Sequence, residues 1–399
     1  MTSLNPGAEQ EKRLDALPLI PNGKVAQLAF TVSEKSRSDL ESNHPSGSPL
    51  EYVAPRDTVE LQLTKIWSEV LEIRPIGVKD NFFDNLGGHS MLAVRLFRQI
   101  KKSFGKDLSM ATLFEAPTVE QLASFLRESG GVAPWSSLVP IQTVGNKPPF
   151  FAIHGGYGGV VMYYNLARHL NPKQPVYGLQ PQGLDEEQAP HNRVEDMAAD
   201  YIREIRTVQP QGPYFLGGFS LGGKVAFEIA QQLNNEGEKV AMLALIDTQA
   251  PGWLKPLSVR ERVSRHLTNL LRLQPQEKLT YLKKKLTRRF DSDNIRPLPQ
   301  VQHKSLLQEA HEQADREYVP QVYSGRAILF RASEQPVEWL EEWLQWWGID
   351  PKLGWGSLVT GGLEIHEVAG HHMSIFKEPY IQVLAEKLQA SLDQAQAHS

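Results

Sequence analysis

From about Val144 onward, short apolar runs alternate with helical stretches, and this alternation restricts the fold more than any other feature of the chain. The runs are Phe150–Ile153, Pro175–Leu179, Tyr214–Leu216, Val240–Ile246, Ala327–Phe330 and Leu363–Val368. Several are apolar without a break, which suits strands buried on both faces of a parallel sheet. Helices between most of them complete an α/β domain. One segment, about 257–318, interrupts the alternation with a long helical stretch and no strand, and is a candidate lid.

The first third of the chain has a different texture. Residues 1–55 are polar and rich in Pro, Gly and Ser, and 36–55 reads as linker. Residues 56–128 carry helical periodicity: Leu63, Ile66 and Val70 share a face, as do Leu92, Leu96 and Ile100, and then Leu122, Phe125 and Leu126. A small all-α, four-helix bundle of about 70 residues is expected, with a modest core. Residues 129–142 read as a second linker.

The charge balance is 42 basic against 46 acidic residues, a net of −4. Phosphate-backbone binding needs a basic excess, so nucleic acid is not expected as a ligand. The segment Lys255–Arg289 is basic, with 11 Lys/Arg against two acids, and is read as a solvated helix face. Cysteine is absent, which removes disulfides, cysteine-ligated zinc and a thiol nucleophile. Its absence suits a reducing, cytoplasmic location. No run of about 18 apolar residues exists, so no membrane span is expected, and Met1–Gln10 lacks the apolar centre of a secretion signal.

The strongest catalytic signal is Gly218-Phe219-Ser220-Leu221-Gly222, set between the run Tyr214–Leu216 and a helix bearing Val225, Ala226, Ile229, Ala230 and Leu233 on one face. Strand, sharp turn and helix are the context of a nucleophile elbow. It would lift the Ser220 hydroxyl to the carboxyl edge of the sheet, where ligands of open α/β folds bind. A serine hydroxyl needs a base, and in this arrangement acid and His follow the Ser in order. Asp247 ends the run Val240–Ile246, and His372 follows the last run. The expected roles are Ser220 nucleophile, His372 general base and Asp247 orienter. Two choices stay open. His371 adjoins His372, and Glu334 is a rival acid, with Asp247 preferred because it follows its strand without slack. Backbone donors for an acyl oxyanion are expected at Leu221 and, from the loop His154-Gly155-Gly156-Tyr157-Gly158-Gly159, at Gly156.

Near-matches to other chemistries fail on single positions. Gly218 to Lys224 approaches a phosphate-binding loop, but Val225 stands where Ser or Thr should hold magnesium. His366-Glu367 opens like a zinc motif, but Gly370 replaces the second His. The 155–159 glycines lack dinucleotide spacing. Trp339, Trp343, Trp346 and Trp347 could line an acyl pocket, but their helical spacing favours one face packed on the domain.

The helical region also contains Asp80-Asn81-Phe82-Phe83-Asp84-Asn85-Leu86-Gly87-Gly88-His89-Ser90. This resembles the phosphopantetheine attachment motif of peptidyl carrier domains. The resemblance implies a covalent pantetheine 4′-phosphate on Ser90, near a helix N-terminus that favours a phosphate. Residues 143–390 resemble the type I thioesterase domain that ends nonribosomal peptide synthetases, an α/β-hydrolase with a mostly parallel sheet and a helical lid. The resemblance carries Ser220, Asp247 and His372, and favours Asp247 over Glu334. The family's usual His-Pro turn reads His154-Gly155 here. Leu17-Pro18-Leu19-Ile20-Pro21-Asn22-Gly23-Lys24-Val25 resembles the last motif of an adenylation domain, so residues 1–35 are read as a remnant of one, with Lys24 at the lysine of that motif.

A carrier–thioesterase didomain is therefore expected. It would take a chain from upstream synthetase modules, after a phosphopantetheinyl transferase has primed Ser90. Release would follow transfer to Ser220, by water or by a nucleophile of the chain itself. The 14-residue linker 129–142 would span about 20 Å root-mean-square, giving an effective concentration on the order of millimolar. The alternatives are a general serine esterase fused to a bundle, or a carrier module with a non-catalytic hydrolase domain.

Overall fold

In a computed structural model, residues 52–108, 110–128, 136–184, 188–256, 258, 260, 264, 305–334 and 347–398 are described. The adenylation-like segment with Lys24, most of the candidate lid and its basic run, and Trp339, Trp343 and Trp346 lie outside them.

Among the described residues, four helices form the helical domain: α1 (Thr58–Leu71), α2 (Ser90–Phe104), α3 (Met110–Glu115) and α4 (Val119–Glu128). The Asp57 carboxylate caps α1 by accepting from the Glu60 N–H at 2.9 Å. Leu63, Ile66 and Trp67 of α1, Leu96 and Ile100 of α2, and Leu122 and Leu126 of α4 close a common core. Phe82, from the loop before α2, fills its centre and meets Trp67 edge-on at 5.4 Å. Val70, Leu92 and Phe125 lie at its margin, half-buried.

The remaining elements run β1 (Leu138–Gln142), β2 (Phe150–Ile153), α5 (Val161–His169), β3 (Val176–Leu179), α6 (Val194–Val208), β4 (Tyr214–Phe219), α7 (Leu221–Asn235), β5 (Val240–Ile246), β6 (Leu254–Pro256), α8 (Leu306–Glu317), β7 (Ala327–Ala332), β8 (Trp347–Ile349), β9 (Leu363–Val368) and α9 (Tyr380–Ala397). Seven strands make one sheet in the order β1-β3-β2-β4-β5-β7-β9. Only the β1–β3 pairing within it is antiparallel. β2 and β4 are buried at every residue, as the unbroken apolar runs predict. Helices α5 and α9 cover one face, and α6 and α7 the other. The chain leaves β2 toward β3 and returns to place β4 on the other side of β2. The carboxyl ends of β2 and β4 therefore flank a switch point, where a crevice opens.

Two departures from the sequence expectation concern strands. β1 lies inside the segment read as linker 129–142. β6 and β8 pair into a separate two-stranded ribbon, so Trp347 opens a strand instead of continuing a helix. Of the segment read as lid, α8 is described. Ser305 caps it reciprocally with Gln308.

Leu96 is fully buried in the helical domain. Leu96→Ala should cost about 2–5 kcal/mol there. Amide hydrogen exchange is expected to accelerate across α2 while amides of β4 and β5 keep their protection.

Candidate active site

Ser220 stands between β4 and α7 with φ 56° and ψ −120°. Its N–H donates to Ile246 O at 3.1 Å, and its own carbonyl accepts from Gly223 N–H at 3.1 Å. The turn is tight because both flanking glycines touch backbone. A Cβ at Gly218 would come within 2.1 Å of Gly222 O, and one at Gly222 within 2.2 Å of His154 O. Side chains at either position would force the turn apart, so the G-x-S-x-G pattern has a steric cause here. Lys224, the residue that suggested a phosphate loop, pairs with Asp315 of α8 at 2.7 Å.

Asp247 follows β5 at the same sheet edge, 1% exposed. Its N–H donates to Phe330 O at 2.7 Å. Oδ1 accepts from Ala332 N–H at 2.9 Å, and Oδ2 meets His372 Nδ1 at 2.7 Å. A carboxylate only accepts, so Nδ1 carries the proton and Nε2 is the nitrogen left to exchange one. The His372 ring stacks on Phe219, centroids 4.5 Å apart, which sets it beside the residue preceding Ser220. His371 turns into its own loop, where its Nδ1 accepts from Met373 N–H at 3.2 Å. Glu334 is exposed, and its N–H donates to Gly370 O at 2.9 Å. The structure thus pairs Asp247 with His372 and leaves Glu334 and His371 apart from that pair.

The loop after β2 closes the other side. Its first residue, His154, is fully buried, and burial lowers its pKa to about 3, so the ring is neutral. The hydroxyl of Tyr163 donates to Ile153 O at 2.6 Å and accepts from Phe219 N–H at 3.0 Å, tying the ends of β2 and β4 together. Nothing in the spacing of α5 marks Tyr163 for this task, because a buried Tyr on a helix face looks like ordinary core.

Ser90 is the first residue of α2 and only 7% exposed. Its hydroxyl lies against Gly159, where a Cβ would come within 2.1 Å of Ser90 Oγ. Four residues back, Gly155 lies beside Phe219. That stretch of backbone spans at most about 14 Å, so one loop runs from Ser90 to the elbow. The helical domain is seated by rings: Phe83 and Phe114 lie 4.8 and 5.4 Å from Tyr164 of α5. Arg168, one turn on, pairs with Asp84, and α3 also touches β1. Tyr164 and Arg168 carried no sequence signal, since a docking surface is a property of two domains together. The start of α2 suits a phosphodiester: a 15-residue helix begins at the hydroxyl itself, with first-turn N–H groups lacking partners within the helix.

With this geometry in hand, comparison with known proteins decides the family. Residues 148–392, more than half of the chain, match the thioesterase domain family. The chain belongs to that family. It is a thioesterase, and residues 62–126 match the phosphopantetheine attachment site family, so the helical domain is a carrier for covalent pantetheine 4′-phosphate. Malpibaldin synthetase of Mortierella alpina is 33% identical over 392 residues, covering 96% of this chain and 6% of that protein. The dimodular nonribosomal peptide synthase of Bacillus subtilis (strain 168) is 33% identical over 386 residues, covering 94% of this chain and 15% of that protein. A holo four-domain nonribosomal peptide synthetase, crystallised with AMP and glycine, is 29% identical with a TM-score of 0.50. It covers 95% of this chain, which spans 28% of it. The chain thus corresponds to a small fraction of these relatives. No helix among the described residues is long and apolar enough to cross a membrane.

Two aromatic pairs at about 0.5–1.5 kcal/mol each outweigh an exposed ion pair worth at most about 1 kcal/mol. Tyr164→Ala should therefore slow release of a carrier-held chain more than Arg168→Ala does. Both should leave turnover of a small soluble thioester within about twofold of wild type, as steady-state assays of the two substrates can show.

Proposed function

We propose that the protein releases an acyl or peptidyl chain made by nonribosomal peptide synthetase modules, with Ser90 as the point of attachment and Ser220, His372 and Asp247 as the catalytic residues. The observation that carries this reading is the 2.7 Å bond from His372 Nδ1 to the buried Asp247 carboxylate, at the sheet edge where Ser220 is held at positive φ. The seating of Ser90 on the loop beside that edge supports delivery from the same polypeptide. The 33% identity to two synthetases across nearly the whole chain supports the peptide assignment.

Pantetheine 4′-phosphate supplies a flexible arm and a terminal thiol that holds the chain as a thioester. Ser220 Oγ attacks the thioester carbonyl while His372 Nε2 takes its proton. Leu221 N–H, the first of α7, and Gly156 N–H face the negative oxygen that develops. Asp247 holds the imidazole in the tautomer that can accept this proton and stabilises the imidazolium formed. His372 would then give that proton to the leaving group, so that the chain is left esterified to Ser220. In the second half His372 deprotonates water, or an amine or hydroxyl of the chain itself. That nucleophile displaces Ser220, which regains its proton, and the product is a free acid or a ring. A phosphopantetheinyl transferase would prime Ser90, and the cysteine-free sequence suits work in a reducing cytoplasm.

Ser90→Ala should abolish turnover of carrier-held chains while soluble thioesters still react, and intact-mass analysis should show no pantetheine addition. An unrelated esterase would be indifferent to that change. A fluorophosphonate probe should label the wild type and not Ser220→Ala; labelling of neither would favour a non-catalytic hydrolase domain. Asp247→Asn should lower kcat by roughly 10³–10⁴-fold, because the amide favours the wrong imidazole tautomer. A loss under tenfold would count against Asp247 as orienter.

A further inference from the structure

Helix α8 reaches both sides of the proposed oxyanion site. On one side His311, 1% exposed, donates from Nδ1 to the carbonyl of Gly156 at 2.7 Å. On the other, Asp315 one turn later pairs with Lys224 at 2.7 Å. Lys224 lies in the first turn of α7, the helix whose leading N–H belongs to Leu221. Leu307 adds an apolar contact, since a Cβ at Gly158 would come within 3.0 Å of it.

The bond to Gly156 matters because of what glycine lacks. With no Cβ, Gly156 is free to turn on both φ and ψ, yet an oxyanion donor helps only if it is aimed before charge develops. Two peptide planes must be held. The plane before Gly156 is held through the Gly155 carbonyl, which accepts from Gly158 N–H at 2.8 Å and from His154 Nδ1 at 2.7 Å. In a trans peptide the N–H opposes the carbonyl, so these bonds point Gly156 N–H the other way. The plane after Gly156, which carries the Gly156 carbonyl and the Tyr157 N–H, is held by His311; this bond restrains ψ of Gly156 and so anchors the Cα from which its N–H projects, while the preceding plane sets the direction of that N–H. The His311 ring lies nearly parallel to that of His154, with centroids 5.0 Å apart and planes 16° apart. His154 in turn accepts at Nε2 from the Tyr201 hydroxyl at 2.7 Å. A carbonyl only accepts, so each Nδ1 is protonated and each ring has one fixed tautomer. Burial lowers the pKa of both rings, which keeps them neutral near pH 7.

We propose that α8 is a clamp on the oxyanion hole and that His311 is its positioning residue, anchoring the Gly156 backbone donor from its carbonyl side without touching the substrate. This rests on the reading of Ser220, Leu221 and Gly156 given above.

The test compares His311→Phe, which keeps a ring on His154 but cannot donate, with His311→Asn, whose amide N–H takes the place of Nδ1–H. Both are made in the full chain and assayed with a soluble acyl thioester. Removing an oxyanion donor outright costs about 10²–10³-fold in kcat; misplacing one should cost about 10–100-fold. His311→Phe is therefore expected to lose about 10–100-fold in kcat with KM and Tm near wild type. His311→Asn should recover kcat to within about threefold of wild type. A kcat within threefold for His311→Phe, or an equal loss in His311→Asn, overturns the proposal. If His311→Phe does not fold, Lys224→Met decides, since it cuts the α8–α7 pair near the surface: a fall in kcat of threefold or more at unchanged KM supports the clamp, and unchanged kcat overturns it. Turnover that survives Ser220→Ala would instead sink the underlying serine reading, and is distinguishable by that variant alone.

Discussion

Three strands meet at the carboxylate of Asp247. Its N–H is held by Phe330 of β7, one oxygen by Ala332 at the end of the same strand, and the other by His372 beyond β9. None of these bonds survives a slip of the β5–β7–β9 pairing by one residue, because side chains alternate faces along a strand. The parallel sheet, with its buried strands and two covering layers of helix, is what keeps that register. Phe219 connects this corner to the elbow by stacking on His372, and Tyr163 connects the elbow to β2. The site is thus a set of strand ends braced against one another, with loops supplying the last side chains.

The carrier is attached by a different kind of force. Its contact with α5 is a stack of three rings and an exposed ion pair, and α3 adds a contact with β1. What the contact contributes is orientation: it lays Ser90 on the loop that ends at the elbow.

Sequence patterning reveals the parts of this molecule governed by local chemistry. The central strands are visible because burial on both faces leaves them uniformly apolar. β1 escapes notice because Pro140 sits in a five-residue edge strand, and Pro in a short polar-flanked segment reads as loop. β4 looks shorter than it is because Gly217 and Gly218 read as turn, whereas they continue the strand to let Phe150 and Gly222 approach. Ser90 and Ser220 stand inside dense motifs and are legible. Asp247 is preferred to Glu334 in the sequence because it follows its strand without slack, and its bond to His372 agrees with that preference; His371 and His372 are adjacent, so only the fold tells which imidazole faces the carboxylate. His311 is further still from legibility. It comes from a helix distant in sequence, and its use depends on a carbonyl, which every residue has.

The burial of Ser90 has one more consequence. A hydroxyl flush against another domain's backbone is closed to any third protein, so being charged from outside and delivering inward cannot happen in the same pose. For an outside protein to reach that hydroxyl the seam beside Gly159 would have to part, separating the ring stack, the ion pair and the contact between α3 and β1.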